Sequence, residues 1–369
     1  MNARSGLIGI VIATATLLGF SSLVQAAADD WDATVAKAKA EGVVVVHGPP
    51  GATYRATLVA AFNAVYPDIK VQFSGAANSI EIPKVIRERQ AGIFDWDVWI
   101  SGPTGALSQL KSIGFFQELA PILRPETMAD DRWVNGFESG WMDSEKKLFY
   151  AFDGTVQTPV TVNWDVVSPS VLTSLADLAK PEFAGKIAFH DPRMSGSGNG
   201  ASQTLFHNIG EAGLIALYKN KVVYTSNTQQ IGEWVVRGRY PIAIGLEAFV
   251  VSEFQAQGVG LNVSVLPDHY YKEQQLSVGF GGVGLIDRAP HPNAAAVYIN
   301  WLLSKAGQEG WVKVPRNTRR ADVTPAFPQM APKPDRAYFM GQSEQFTEER
   351  ARVLRLAKEI IDGAAPRGK

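Results

Sequence analysis

The chain has 369 residues, of which 46% are hydrophobic and 19% charged, and its formal net charge is −1. This composition is typical of a globular protein of about two domains, and it excludes a disordered or fibrous chain. The balanced charge gives no sign of nucleic-acid binding, and the lack of cysteine excludes disulfides, thiolate metal sites, cysteine nucleophiles and lipid-anchored cysteine.

The N-terminal residues have the pattern of a signal peptide. An apolar run over residues 7–24 follows Arg4, the only charged residue before Asp29, and small residues begin at Ala26. A short basic region, an apolar run and a small-residue cleavage site are the features that signal peptidase recognises. The alternative is a membrane anchor, although the run is near the lower length limit for a span. We therefore expect residues 1–26 to be removed and the mature protein to be soluble in the periplasm.

Strand and helix patterns alternate in the first part of the mature chain. Short β-branched or apolar runs predict buried strands, and apolar residues at helical spacing predict helices. In chain order the pattern predicts a helix at 31–40, a strand at 43–46, a helix at 53–64, a strand at 69–73, a helix at 81–90 and a strand at 96–100. This alternation indicates a parallel sheet covered by helices, with the ligand crevice at the carboxyl ends of the strands.

A second block of the same kind follows two strand-like runs at 148–152 and 160–164. Its predicted elements are a helix around 174–178, strands at 186–190, 222–224 and 241–244, a helix through Phe206 and a helix at 230–236. A long strand-like region at 263–285 and a helix at 293–303 complete the pattern.

The two blocks predict the domain organisation. The chain passes into the second block near residue 156 and returns near residue 266. We therefore predict an α/β fold of two Rossmann-like lobes with a central cleft, joined by two crossover strands. Lobe one comprises residues 29–155 and 267–369, and lobe two comprises residues 156–266.

The most informative loop reads Arg193-Met194-Ser195-Gly196-Ser197-Gly198 and lies between a predicted strand and a helix. Glycines permit a tight turn and close approach of a ligand to the backbone, and Ser197 is expected to cap the helix. The free N–H groups of the first helical turn favour an anion, with which Arg193 would form a charge-assisted pair. The alternative is an ordinary capped turn. A dinucleotide site is not predicted, because the next strand ends without the required acidic residue.

Catalytic and metal-binding motifs find little support. No serine lies in G-x-S-x-G and no H-E-x-x-H motif is present. His47 and His190 follow strand patterns, where they either line the cleft or are satisfied locally. Tyr270-Tyr271 is either a phenolate pair for ferric iron or an aromatic pair packed at the lobe junction. Asp153, between two strand-like runs, either binds a ligand amine or hydroxyl or caps a turn.

Three segments resemble a known family: Asp191-Pro192-Arg193 with the serine–glycine run after it, Arg239-Tyr240-Pro241-Ile242-Ala243-Ile244-Gly245, and His291-Pro292-Asn293-Ala294-Ala295 followed by Trp301-Leu302-Leu303-Ser304. With the leader and the two blocks, they resemble a periplasmic substrate-binding protein of an ABC importer. The resemblance is to the type II class, in the branch that includes binders of ferric iron and of phosphorylated or phosphonate organic anions. It covers essentially the whole mature chain. It implies a small-molecule ligand, no cofactor or catalytic residue, and a permease and an ATPase as partners.

One departure bears on the ligand. Ferric binders of this branch have a Tyr-Tyr pair after the strand corresponding to 241–244, where this chain has Glu247-Ala248-Phe249. The family's iron ligands therefore do not carry over, and no metal ligand is predicted. Ser195, Gly196 and Ser197 match the loop that holds an anionic group in anion-binding members. The leading hypothesis is a monomeric binder of a small organic anion. The alternatives are a ferric or polyamine binder on the same fold and a periplasmic enzyme.

Ten residues are predicted to contact the ligand because they lie at strand ends or at the crossover. Hydroxyl and free N–H groups would hold ligand oxygens, Arg193 would balance a negative charge, and Asp153 and Glu247 would suit a cation better than an anion. Lobe one is expected to contribute Gly51, Thr53, Ser79 and Ser101, the crossover Asp153, and lobe two Arg193, Ser195, Ser197, Asn227 and Glu247.

Overall fold

The computed structural model of the protein describes residues 30–194, 196–314, 316–336 and 338–364. The predicted signal peptide and Ser195 lie outside the described residues. The strands are β1 (Val43–Gly48), β2 (Lys70–Gly75), β3 (Val98–Ser101), β4 (Phe116–Gln117), β5 (Phe149–Ala151), β6 (Thr155–Val156), β7 (Val160–Asn163), β8 (Ile187–His190), β9 (Val223–Thr225), β10 (Ile242–Ile244), β11 (Val263–Val265), β12 (Gln274–Ser277), β13 (Gly282–Ile286) and β14 (Tyr338–Phe339).

The longer helices are α1 (residues 30–41), α2 (Ala52–Asn63), α3 (Asn78–Gln90), α4 (Ser197–Tyr218), α5 (Thr228–Val236), α6 (Ala248–Gln255), α7 (Pro292–Leu303), α8 (Lys305–Trp311) and α9 (Thr347–Ala364). A further helical segment combines Pro103–Gly105, Ala106–Leu110 and Lys111–Ile113. Short 3₁₀ helices lie at Ala120–Ile122, Asp130–Arg132, Glu138–Gly140, Leu175–Ala179, Pro181–Phe183, Asp268–Tyr270, Pro328–Met330 and Glu344–Phe346. None of the helices in the described part of the chain combines the length and apolar character that a membrane span needs.

The first sheet has the strand order β2-β1-β3-β13-β4, and β5 also pairs with β13. Strand β1 is parallel to β2 and β3, whereas β13 is antiparallel to its neighbours. Helices α1, α2, α7 and α8 contribute to the apolar core on one face, and α3 contributes to the core on the other. The β-branched run of β1 suits such a strand, because both of its faces are covered.

The second sheet has the order β11-β7-β10-β8-β9. Strands β8, β9 and β10 are parallel, and β7 is antiparallel to β10 and β11. Helices α4 and α9 cover one face, and α5 and α6 cover the other. The α/β fold predicted from the strand–helix alternation is confirmed, because both large sheets carry helices on both faces.

A small sheet of β14, β12 and β6 lies between the two large sheets in the chain path. Strand β6 leads from β5 of the first sheet to β7 of the second, and β12 leads from β11 back to β13. We call β6, β12 and β14 the hinge sheet. The predicted lobe boundaries stay a prediction. Because α9 packs against α4, we propose that lobe two also includes α9, although residues 267–369 were all assigned to lobe one.

Three local differences from the sequence pattern have physical reasons. The region at 263–285 forms three strands, because a 3₁₀ helix follows Pro267 and a turn with Gly279 at φ 54° separates the last two. The helix around 174–178 is a 3₁₀ helix, closed by a capping box between Ser174 and Asp177. Helices α6, α8 and α9 were not predicted.

Candidate ligand-binding cleft

A cavity of about 410 Å³ is lined by loop and helix residues that follow strands of both large sheets, by residues of the hinge sheet and by the C-terminal segment. We call it the central cavity. Its described lining residues are polar, charged or glycine, and none of them is aliphatic or aromatic. They are Asn78, Gly102, Thr104, Gly105, Gln157, Gly196, Ser197, Asn199, Gly200, Gln203, Glu247, Gln275, Ser277, Gln342 and Arg350. This lining suits a hydrophilic ligand.

Two glutamines of the hinge sheet region face the first turn of α4. The backbone N–H of Gln157 donates to the carbonyl of Gln275 at 2.9 Å, which sets the two residues side by side. A Cβ placed on Gly200 would lie 3.4 Å from Oε1 of Gln157 and 3.8 Å from Oε1 of Gln275. The amide oxygen of Gln275 is buried without a hydrogen-bond partner among the described residues. A buried unpaired acceptor at a cavity wall is a place where a ligand donor gains a hydrogen bond.

Arg350, in the second turn of α9, contributes a positive charge to the cavity wall. Its guanidinium donates to the carbonyls of Gly341 and Ser343, the latter at 2.8 Å, and to Oγ1 of Thr347 at 3.0 Å. Burial lowers the pKa of Arg350, and the negative charge of the neighbouring Glu349 partly offsets this shift. No carboxylate of a described residue forms an ion pair with Arg350. Its guanidinium is therefore held in place by neutral acceptors, and the neighbouring Glu349 acts on its charge without a direct contact.

The first turn of α4 is brought to the cavity by close packing of glycines. Gly196 is the residue before the helix, with φ 146°, and a Cβ on Gly198 would lie 2.0 Å from the carbonyl oxygen of His190. The Gly198 N–H donates to Nδ1 of His190 at 3.0 Å, so the neutral ring carries its proton on Nε2. The expectation that Ser197 caps α4 was wrong, because Gly196 occupies the capping position. The Ser197 hydroxyl donates instead to the carbonyl of Gly245 at 2.7 Å.

A smaller cavity of about 130 Å³ adjoins the central cavity and shares Gln157, Ser197, Glu247 and Ser277 with it. We call it the side cavity. Arg316 lines it, and its Nε donates to Oδ2 of the fully buried Asp153 at 2.7 Å. Burial raises the pKa of Asp153 to about 6, against the opposing charge of Arg316. The charge of Arg316 is thus matched by a carboxylate of its own chain.

Residues 43–313 match the family model of the bacterial extracellular solute-binding proteins. The chain belongs to this family. Extracellular solute-binding proteins bind small molecules outside the cytoplasm and are not enzymes, so the assignment replaces the alternative of a periplasmic enzyme. The predicted family resemblance is confirmed. No curated protein matches the chain.

Solved structures of solute-binding proteins share the fold. Iron-bound HitA from Pseudomonas aeruginosa has a TM-score of 0.58 at 16% identity, over 86% of this chain and 99% of that one. IdiA (FutA) from Trichodesmium, in complex with iron and citrate, has a TM-score of 0.65 at 18% identity, over 86% and 99%. AfuA from Actinobacillus pleuropneumoniae with fructose-6-phosphate bound has a TM-score of 0.56 at 20% identity, over 88% and 99%. At such identities the similarity shows the fold.

Two of the predicted contact residues of this solute-binding protein, Ser197 and Glu247, line the central cavity. Asp153 is fully buried behind Arg316, and Ser101 is also buried. The Ser101 hydroxyl accepts a hydrogen bond from Nε1 of Trp99 at 2.8 Å and donates to the carbonyl of the next residue at 3.1 Å. Both Asp153 and Ser101 therefore have partners within the protein.

The other predicted contacts are not among the residues that line the two cavities. Arg193 donates to both carboxylate oxygens of Asp191 and, at 2.6 Å, to Oδ1 of Asp362. Two carboxylates thus balance the charge that was expected to meet the ligand. Ser195 lies outside the described residues. The remaining four are exposed, and these are Gly51, Thr53, Ser79 and Asn227. Their ligand contacts stay predictions.

The tyrosine pair and the strand-end histidines are accounted for by packing. Tyr271 is buried in the core of the second sheet, and the Tyr270 hydroxyl donates to the carbonyl of Leu172 at 2.8 Å. His47 is fully buried and stacked on Trp99 at 3.8 Å, and burial lowers its pKa to about 3. Among the described residues, no group of three or more His, Cys, Asp or Glu side chains is arranged to hold a metal ion.

Sequence reasoning missed the residues that dominate the cavity wall: Gln157, Gln203, Gln275, Gln342 and Arg350. Gln157 and Gln275 carried a usable signal, because polar side chains in or beside a predicted crossover strand lie next to any cleft between the lobes. Arg350 carried none, since its position depends on how α9 returns to the second sheet. Such long-range docking is not encoded in local pattern.

Proposed function

We propose that this protein is the solute-binding subunit of an ABC importer, and that it captures a small hydrophilic organic anion in the central cavity. The observation that carries the proposal is the guanidinium of Arg350, which lines the cavity and forms no ion pair with a carboxylate of the described residues. A charged ligand oxygen that meets this fixed group forms a charge-assisted hydrogen bond at little ordering cost, because backbone carbonyls already hold the guanidinium.

The rest of the wall supports a ligand rich in hydroxyl or similar oxygen groups. Side-chain amides and hydroxyls both donate and accept hydrogen bonds, and they line the cavity on all sides. Helix α4 begins at Ser197 on the cavity wall, and its first-turn N–H groups other than that of Gly198, which is bonded to His190, add donors that favour an oxyanion. A phosphorylated or carboxylated polyol matches both features.

Binding follows from the placement of these groups. Because the wall combines residues that follow strands of both large sheets with residues of the hinge sheet, a bound ligand contacts all three regions and stabilises the form in which they are close. A permease then distinguishes loaded from empty protein by that form. We propose that the protein acts as a monomer in the periplasm after removal of its signal peptide, and that a membrane permease and an ATPase complete the importer.

The similar structures allow two ligand chemistries, since HitA and IdiA hold iron and AfuA holds fructose-6-phosphate. Ferric iron is a hard cation that favours several oxygen ligands of negative charge. Among the described lining residues of the central cavity, Glu247 is the one carboxylate, and neither tyrosine nor histidine is present. A polyamine, with several positive charges, would need a second carboxylate in the site, and Asp153 cannot serve because it is paired with Arg316. The anion therefore has the stronger support.

A thermal-shift and calorimetric screen of the mature protein distinguishes these ligands. The screen includes glucose 6-phosphate, fructose 6-phosphate, citrate, spermidine and ferric citrate. We expect an organic anion to stabilise the native state by RT ln(1 + [L]/Kd) and so to raise the unfolding midpoint as its concentration increases. Arg350→Gln should lower its affinity by about 10- to 100-fold, as expected for a hydrogen bond to a charged group. Arg355→Gln, at an exposed position of the same helix, should leave it unchanged.

Two results would refute the proposal that the ligand is an organic anion. One is stabilisation by spermidine alone. The other is a visible ferric charge-transfer band that persists in Arg350→Gln, together with no response to any organic anion.

A further inference from the structure

We propose that the ligand of the central cavity is a zwitterion, in which a cationic group pairs with Glu247 while the anionic group pairs with Arg350. This inference rests on the proposed function and narrows it to amino-substituted organic anions. Glu247 and Arg350 are the only charged residues among the described lining of the cavity.

Glu247 and Arg316 both line the side cavity, and their charges attract each other without an ion-pair contact. The side chain of Glu247 is exposed at the start of α6, and no described residue forms an ion pair with it. Arg316 lines the neighbouring side cavity, but its Nε is already bound to Asp153 at 2.7 Å. The two guanidinium groups therefore differ: one has an internal carboxylate partner and the other has none. Glu247 and Arg350 thus lack a direct ion-pair contact with a described residue, and a ligand in the central cavity can pair with both.

Closure makes this balance important. In the open cleft, water solvates both Glu247 and Arg350 at small cost. When the cleft closes on a ligand, water is displaced, and a charge left without a partner becomes unfavourable. A simple anion pairs with Arg350 but leaves Glu247 unpaired and close to the ligand's own negative charge. A ligand that carries both charges satisfies both residues, so it stabilises the closed form more.

The positions of the two residues give the ligand an orientation. Glu247 follows β10 and lines both the central and the side cavity, whereas Arg350, on α9, lines the central cavity but not the side cavity. The cationic group therefore lies toward the side cavity, and the anionic group lies toward α9. Amides of the hinge region lie between them and contact the uncharged part of the ligand, among them Gln157, which lines both cavities.

Matched ligand pairs test the inference by calorimetry on the mature protein. Glucosamine 6-phosphate and glucose 6-phosphate differ in one ammonium for one hydroxyl, and phosphoethanolamine and 2-hydroxyethyl phosphate form a shorter pair. All four are compared at a pH at which the amines are protonated. We expect the ammonium member of at least one pair to bind about tenfold or more tightly than its hydroxyl partner, the usual size of one charged hydrogen-bonded contact.

Two variants test whether Glu247 causes the preference for the ammonium compound. Glu247→Gln should remove the preference by weakening the ammonium compound alone, and should leave the hydroxyl compound as tight or tighter. Glu182→Gln, at an exposed position of the second-sheet half, should retain the preference.

The inference is overturned if both members of each pair bind equally to the wild type. It is also overturned if Glu247→Gln weakens both members by the same factor, because Glu247 would then act on closure itself, for example through Arg316. If no organic anion binds and Arg350→Gln changes nothing, the proposed function has failed, and this result is distinct from the other two.

Discussion

Asp153 shows how burial changes the chemistry of a single side chain. Its carboxylate is fully buried, and its pKa is raised by that burial to about 6 from the ordinary value of 3.8. Between these two values the folded protein binds more protons than the unfolded chain. The contribution of Asp153 to the free energy of unfolding therefore decreases as the pH rises from about 4 to 6. The decrease is on the order of 3 kcal/mol, from 1.36 kcal/mol for each pKa unit.

Asp153→Asn should reveal this dependence, because asparagine resembles the protonated acid at every pH. Relative to the wild type, we expect the variant to gain stability as the pH rises through this window. Urea unfolding at a series of pH values measures the difference between the two proteins. If the variant instead loses relative stability as the pH rises at values below about 4, with little change from pH 4 to 6, then pairing with Arg316 outweighs burial and holds the pKa of Asp153 below its ordinary value.

At the residue scale, the sequence indicated which side-chain types lie near the cleft better than it indicated which hydrogen-bond partners they have. Ser197 and Glu247 lie on the wall of the central cavity, as strand-end loops of parallel sheets favour, and their contact with a ligand stays a prediction. Arg193 was expected there for the same reason, but Asp362, far along the chain, binds its guanidinium. Nothing near Arg193 in the sequence indicates that contact. Asp191, only two residues before Arg193, is its other partner, so part of the reason that Arg193 is not available to a ligand was visible in the sequence.

Helix α9 is the element that most changes the site. Val353, Leu356, Ala357 and Ile361 lie on one face and pack into the core of the second sheet. The same helix carries Arg350 to the central cavity. Arg350 precedes Val353 by three residues and so lies on the same side of α9 as the apolar face, whose packing therefore positions this charged side chain.

Val353→Ala should therefore lower the free energy of unfolding by about 2 kcal/mol, because it removes two buried methyl groups and leaves a cavity. Chemical denaturation gives this value directly. Glu359→Ala, at an exposed position of the same helix, should change stability by less than about 0.5 kcal/mol. Equal effects of the two substitutions would show that α9 is not docked on the second sheet in solution.

Elements with strong local patterns were predicted well. The β-branched run of β1 and the helices that follow it were recognised because their periods differ clearly, and Gly and Pro separate them. The region at 263–285 was predicted as one strand-like stretch because apolar residues continue across its turns. Helices α6 and α8 are short, with eight and seven residues, and their dependence on tertiary packing explains why local pattern did not indicate them.

At the scale of the whole molecule, two helix-covered sheets and a connecting hinge sheet make a ligand-driven closure the expected response. We expect the radius of gyration, measured by small-angle X-ray scattering, to fall when the mature protein is saturated with its best anion. Arg350→Gln at the same anion concentration should keep the larger value, because it binds less ligand. An unchanged radius in the saturated wild type would indicate that binding occurs without closure.

Pattern alone also predicted that the chain crosses twice between two blocks, which matches the paths through β6 and β12. The third passage, through β14 to α9, was not predicted. It depends on Glu344, which anchors the segment before α9 to the first-sheet half by accepting from Lys111 at 2.6 Å and from the Ser144 N–H at 2.8 Å. The assignment of whole segments to lobes therefore exceeds what alternation of strands and helices can determine.

The hinge sheet also restricts the direction of any closing motion. Its three strands lie side by side, with β12 bonded to β6 on one edge and to β14 on the other. Sliding one strand along its neighbour breaks the hydrogen bonds of the ladder, whereas flexing all three together preserves them. Rotation is therefore easiest about an axis that runs across the strands, perpendicular to their length. We therefore expect rotation about this axis to enclose a ligand and the reverse rotation to release it.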